Sequence, residues 1–217
     1  MLIAGIASLV MAPPESGIAG APLPLQSQSS SFGPDTITFD PNTGLQWLDL
    51  TESIGYSHNQ MLHEIQPGGA FEGYHYATDA EIRQLFIDAG IDVGPGSEDF
   101  IPANYAPIVA LTDLIGVVGD FGNCGSGCTF FFTQGYTAEP PPYPGQVAST
   151  GLSWFDNDPL LSPSYPQASI GRVLFGGASS GDATPSQASW LIVPEPGAGA
   201  SALVALLAIA SRRRSAR

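Results

Sequence analysis

Lysine is absent from this 217-residue chain, and Arg83 and Arg172 are its only arginines before residue 212. Between residues 32 and 193, eighteen carboxylates face those two arginines. Such a surface repels phosphate backbones, which excludes nucleic acid as a partner. It suits solubility outside the cell and loose association with divalent cations. Cysteine is nearly absent too. Cys124 and Cys128 stand alone, and a tetrahedral metal site would need two further ligands at the right spacing. Compact catalytic signatures are also missing: no nucleophile elbow, phosphate loop, dinucleotide fingerprint or ordered Ser/His/Asp set occurs.

What is abundant is glycine (26) and proline (20), which favours short elements joined by many turns. Met1 to Ala12 is apolar, Pro13-Pro14 follows, and Gly17-Ile18-Ala19 offers a small-x-small cleavage site. This reads as a signal peptide without its positive n-region, and a translation start upstream of Met1 accounts for the gap. The Pro/Gln/Ser-rich stretch from Ala21 to Ser31 reads as a linker. About 170 residues then remain for one domain with its own core.

Along that body, Thr36-Ile37-Thr38-Phe39 alternates like a strand. Asp40-Pro41-Asn42-Thr43-Gly44 has the residues of a reversal; it resembles a calcium loop only in its first residues, since the later acidic ligand is missing. Leu45 to Leu50 continues as the return strand, apolar on both faces and hence central. Ser57 starts a helix with Met61, Leu62 and Ile65 at helical spacing, stopped by Pro67-Gly68-Gly69. Gly73 to Ala77 is a short strand. Thr78 and Glu81 form a capping box for a helix that carries Ile82, Leu85, Phe86 and Ala89 on one face and ends at Gly90. Pro107 to Val118 predicts a second apolar helix, Gly122 to Cys128 a loop, and Thr129 to Thr133 an aromatic strand. Pro140 to Pro144 is a rigid excursion, and Gly171 to Phe175 and Ser189 to Val193 are closing strands. The expectation is one α+β domain over residues 32–193, two or three helices packed on a mainly antiparallel sheet.

Three groups of side chains invite a chemical reading. Cys124 and Cys128, separated by Gly-Ser-Gly in an exported chain, predict a small disulfide worth about 2 kcal/mol on the chain-entropy model. His58 and His63 fall on different helix faces, and His63-Glu64 lacks the second histidine of a zincin helix. A structural role is the plainer one for both and for His75. Trp154-Phe155-Asp156-Asn157-Asp158 combines short oxygen ligands suited to Ca²⁺ with aromatics suited to stacking on a sugar. Trp154, Asp156 and Asp158 are therefore the candidate binding residues, against the plainer alternative of an acidic turn before Pro159. No obligatory cofactor is expected.

The last two dozen residues are ordered in three parts. Val193-Pro194-Glu195-Pro196 is a rigid punctuation that withholds backbone donors, Ala198 to Ala210 is apolar, and Arg212, Arg213, Arg214 and Arg217 close the chain. As a helix, Gly197 to Ala210 spans roughly 21 Å against about 30 Å of hydrocarbon, short for a permanent anchor but enough for a transient insertion. The arginines fit the cytoplasmic side and the acidic body the other.

This arrangement resembles the PEP-CTERM sorting signal that exosortase-type membrane transpeptidases recognise in exopolysaccharide-producing Gram-negative bacteria. The body adds to the likeness. Thr43-Gly44-Leu45-Gln46-Trp47-Leu48-Asp49-Leu50-Thr51 and Gly73-Tyr74-His75-Tyr76-Ala77-Thr78 are similar to the "TGLEWLDLT" strand and the "GWRYAT" corner of many such proteins. Gln46 and His75 replace the usual Glu and Arg. A weaker likeness extends to C-type-lectin-like domains, which have a "WRLPT" segment at a similar corner. The resemblance implies residues 1–31 as signal and linker, 32–193 as exported domain and 194–217 as sorting signal with a hydrophobic helix. It implies an exosortase and the inner membrane as transient partners, and the cell surface or exopolysaccharide matrix as destination. It brings no catalytic residues. The body is then a non-enzymatic surface protein, alternatively a carbohydrate-binding module assisted by Ca²⁺, or thirdly a hydrolase using His75.

Overall fold

A computed structural model describes residues 23–125, 128–140, 144–156, 169–179 and 187–193, excepting the side chains of residues 120–125, 128 and 177–179. The expected signal-peptide stretch, residues 141–143 of the proline excursion and the tail from 194 lie outside the described residues.

The chain begins with two paired strands, β1 (Gln26–Ser30) and β2 (Gly33–Phe39). The expected linker thus contributes an edge strand. Its polar side chains face solvent while its backbone pairs along β2, so composition misleads where main-chain bonds are the only requirement. Asp40 makes the next reversal: its Oδ1 accepts from the Asn42 amide (2.9 Å) and its Oδ2 from the Thr43 hydroxyl (2.7 Å). The carboxylate serves the turn itself. β3 (Gln46–Leu48) follows, shorter than expected, because the chain tightens into a 3₁₀ turn at Leu50–Ser53. Leu50 consequently packs on the Trp47 side, not opposite it.

α1 (His58–Glu64) and α2 (Asp79–Asp88) start at complete capping boxes, Ser57 with Gln60 and Thr78 with Glu81. Each box satisfies two otherwise orphaned amides. Between them lies β4 (His75–Tyr76). α3 (Pro102–Ile115) begins five residues before the expected Pro107. Pro102 occupies the first turn, where its missing donor is harmless. Buried Asn104 then anchors that turn by bonding both the amide and the carbonyl of Asp92 (2.8 and 2.9 Å), so Pro107 is carried inside the helix.

A second group of strands follows: β5 (Gly119–Gly125), β6 (Cys128–Tyr136), β7 (Val147–Asp156) and β8 (Ile170–Ser179). They form an antiparallel meander. The expected Gly122–Cys128 loop is the end of a hairpin, with Gly125 opposite Cys128. Residues 97–101 guard the free edge of β8 through bonds between Ile101 and Gly171 and from Val173 to Ser97, which blunts an otherwise open edge.

The closing stretch divides. β9 (Ala188–Ser189) runs parallel to Gly135–Tyr136 of β6, whereas β10 (Leu191–Ile192) inserts antiparallel between β3 and β4. One sheet therefore has the order β1-β2-β3-β10-β4, and the other β5-β6-β7-β8 with β9 attached to β6. Among the described residues this is a mixed α+β fold with three α-helices and two mainly antiparallel sheets. Trp47, Trp190, Phe86, Leu85, Ile108, Leu111, Leu152 and Val173 share the larger core, between the helices and both sheets. Ile37, Leu48, Met61, Phe71, Tyr76 and Leu191 form a smaller core on the other face of the first sheet.

Trp190 is the pivot between β9 and β10. Its amide donates to Tyr136 O (3.0 Å), its carbonyl accepts from Ala77 (2.9 Å), and its indole Nε1 donates to Thr150 O (2.8 Å). The ring meets Trp47 and Phe86 edge-on, contacts worth about 0.5–1.5 kcal/mol each beyond buried area. Gly135 is required beneath it, since a Cβ there would lie 2.9 Å from the indole Cδ1.

Asp49, at the start of the 3₁₀ turn, is only 7% exposed. Burial, reinforced by the neighbouring Glu52 charge, raises its carboxyl to about 7. The folded state then retains a proton that the unfolded chain releases near the ordinary 3.8. Stability is therefore lost as pH rises between those values. Asp49→Asn should match the parent near pH 4 and exceed it at pH 8 by about 1–2 kcal/mol after solvent screening. Urea unfolding at both pH values checks this; a gap that does not grow with pH contradicts it.

Candidate functional site

The sequence-predicted binding cluster is split by the two-residue period of a strand. Trp154 and Asp156 lie on β7 and point toward α3. Trp154 is 5% exposed and stacks on Phe131 at 5.2 Å, so it offers no free face to a sugar. Asp156 Oδ1 accepts from the Tyr105 hydroxyl (2.8 Å) and Ser169 Oγ (3.4 Å); burial, then that bond, pushes the Tyr105 phenol up. Asp158 lies outside the described residues. Among the described residues no group of three or more His, Cys, Asp or Glu side chains is arranged to hold a metal ion. Cys124 and Cys128 belong to β5 and β6, but their side chains, and so the disulfide, lie outside the described residues.

The histidines are separate from one another. His58 stacks on Tyr76 (5.1 Å) and meets Tyr136 edge-on, and burial lowers its basicity. His63 and His75 are exposed. His75 has no bonded carboxylate among the described residues, so the arrangement holds no acid–histidine pair there.

The opposite face of the same strands is different. Cross-strand register places three rows on it: Phe130–Phe155–Ile170, Phe132–Ser153–Arg172 and Gln134–Gly151–Leu174. The alternating rows, Phe131–Trp154–Gly171 and Thr133–Leu152–Val173, face the core. At Gly151 the neighbouring strand comes too close for a side chain: a Cβ there would lie 2.5 Å from Thr133 O and 3.1 Å from the Gln134 Cβ. A concavity of ≈ 230 Å³ beside it is lined by Phe130, Phe132, Gln134, Ser153, Arg172 and Leu174.

Arg172 is the only ionisable side chain on these nine positions. Its Nε donates to Ser153 Oγ (3.0 Å), and its guanidinium lies 4.4 Å from the Phe100 ring centroid. One edge and one face are therefore fixed. Among the described residues it makes no ion pair, despite the large excess of carboxylates in the chain. Burial lowers its basicity, yet a guanidinium remains charged at any physiological pH. Arg83, the other arginine of the body, is engaged elsewhere, donating to Val93 O (2.7 Å) and stacking on Phe175 at 4.0 Å.

The residues sequence reasoning missed are thus Phe130, Phe132, Gln134, Ser153 and Arg172. The signal available was parity: with Trp154 inward, Ser153 and Phe155 had to be outward. Val193, first residue of the expected sorting motif, is described, and its amide donates to Gln46 O at 2.8 Å. Pro194, Glu195, Pro196, Arg212, Arg213 and Arg214 lie outside the described residues. No helix among the described residues is long and apolar enough to cross a membrane. Comparison with protein-family models, with characterised proteins and with solved structures gives no match for this chain.

The two faces of β7 should respond differently to truncation. Trp154→Ala should cost about 3–5 kcal/mol of stability, as loss of a core aromatic does. Ser153→Ala, which loses one bond from a guanidinium, should cost less, about 1.5–3 kcal/mol. Denaturant unfolding of both variants checks this, and equal losses would contradict the assigned parity.

Proposed function

We propose that this chain is an exported, non-enzymatic surface or matrix protein of a Gram-negative bacterium, sorted by an exosortase through its C-terminal segment. The observation that carries this reading is the last described strand. β10 is a central strand, paired on both sides, and among the described residues the last inter-strand bond comes from Val193. Pro194 follows at once and cannot extend the ladder. Cleavage near Pro194-Glu195-Pro196 would leave every described element intact. The apolar stretch and the arginines would then act only while the chain is held in the inner membrane, with the acidic body outside.

The experiment is mass spectrometry of mature protein from the producing cells. The expected C-terminus falls within a few residues of Pro194-Glu195-Pro196. An intact Arg217 in exported material contradicts the proposal.

A second reading has its own support. The body acts as a carbohydrate-binding module, with its site on the outward rows of β6–β8. The aromatic side chains, the small polar groups and the uncompensated Arg172 favour this position over the Trp154–Asp158 cluster. Exopolysaccharide is the partner it suggests, and no Ca²⁺ requirement attaches to this site.

A further inference from the structure

We infer that the concavity over Gly151 binds a single sugar ring carrying one carboxylate, and that Arg172 receives that carboxylate. The inference rests on the carbohydrate-binding reading and specifies its ligand class. Of the five N–H donors of a guanidinium, the Nε donor is used on Ser153. The four terminal donors have no acceptor among the described residues. With Ser153 on its edge and Phe100 on its face, the fork is held before any ligand arrives, which limits the ordering cost of binding. A planar carboxylate matches that fork in a bidentate fashion.

Size and charge narrow the choice. At ≈ 230 Å³ the space is below the roughly 300 Å³ typical of drug-sized ligands, so it accommodates one ring. Phe130 and Phe132, packed on one another at 6.3 Å with Phe130 also on Phe155 at 4.6 Å, form an apolar wall along one part of it, and Gln134 and Ser153 line the polar part. An apolar wall beside amide and hydroxyl groups suits a sugar ring, apolar on its C–H side and polar at its edge. A dianionic phosphate would call for a second cation. The chain has no lysine, and Arg83 is bound to Val93 and Phe175. The net charge of −14 repels densely charged polyanions at long range, within the limits that salt screening sets. One carboxylate on one ring is what remains.

The test uses the full chain labelled with ¹⁵N and follows the arginine Nε–H resonances, with Arg172 assigned through Arg172→Gln. Glucuronate, galacturonate, their neutral methyl esters, glucose and inorganic phosphate are titrated separately. Saturable movement of the Arg172 resonance by a uronate is expected. Affinity should fall roughly tenfold or more for the methyl ester, the scale of a lost charge-assisted bond, and in Arg172→Gln. The ester arm alters the ligand and stays informative even if that variant fails to fold. Equal affinity for glucose, uronate and ester would overturn the carboxylate inference and leave the carbohydrate reading standing. Phosphate binding as tightly as uronate would overturn it in favour of a general anion site. Absence of any sugar response at the groove would overturn both.

Discussion

The stretch Ala188–Ile192 places one short strand in each of the two described sheets and so ties them together. Five residues pair parallel with β6, turn at Trp190 and insert antiparallel between β3 and β4. Around the pivot, Ser53 Oγ accepts from the Ser189 amide at 2.8 Å and Trp190 bonds Tyr136, Thr150 and Ala77. Each of these is a backbone or indole donor in a nearly dry environment, where an unmade bond costs about 1–3 kcal/mol. The core between the sheets is consequently completed by the last described part of the chain. The helices alone cannot close it, since α2 and α3 pack their apolar faces on Trp47, Trp190 and Val173.

That constraint also orients the outer side of β6–β8. With the inner rows of β6–β8 committed to α3 and Trp190, the pleat sends Phe130, Phe132, Ser153 and Arg172 outward. This outer side is only partly open: Ser153 and Ile170 are buried, and Phe100 packs on Phe155 and Arg172. Its three rows carry aromatic side chains, one cation and no carboxylate. The same alternation that turns Trp154 into the core brings Arg172 and Ser153 together. The proposed site is a consequence of how the core is filled.

How much of this was legible in the sequence depended on how local the cause was. Both helix starts with a Ser or Thr cap were readable, because Ser57–Gln60 and Thr78–Glu81 close within one turn. The Asp40–Gly44 reversal and the central position of β3 were readable for similar reasons: turn chemistry, and large apolar groups on both faces. β7 was not. Ser149, Thr150 and Ser153 look like loop residues, yet they are buried, with Thr150 bonded to Asp79 and Ser149 to Gln134. Those partners lie far off in the sequence or across a strand. The early start of α3 depended on Asn104 reaching Asp92, and β1 on pairing that its polar composition does not advertise. For the site, the sequence pointed to Trp154, Asp156 and Asp158, whereas Trp154 is buried and Asp156 is bonded to Tyr105. Parity along β7 could not be assigned before β7 was recognised as a strand.

The account turns on the claim that Ala188–Val193 completes the body and that the residues beyond it are dispensable to the fold. Denaturant unfolding of two truncated chains, one ending after Val193 and one after Gln187, tests this most directly. The chain ending at Val193 should unfold cooperatively with the midpoint of the full-length protein, and the chain ending at Gln187 should show no cooperative transition. Retention of the full-length midpoint after removal of residues 188–193, or its loss when only residues 194–217 are removed, would contradict the account.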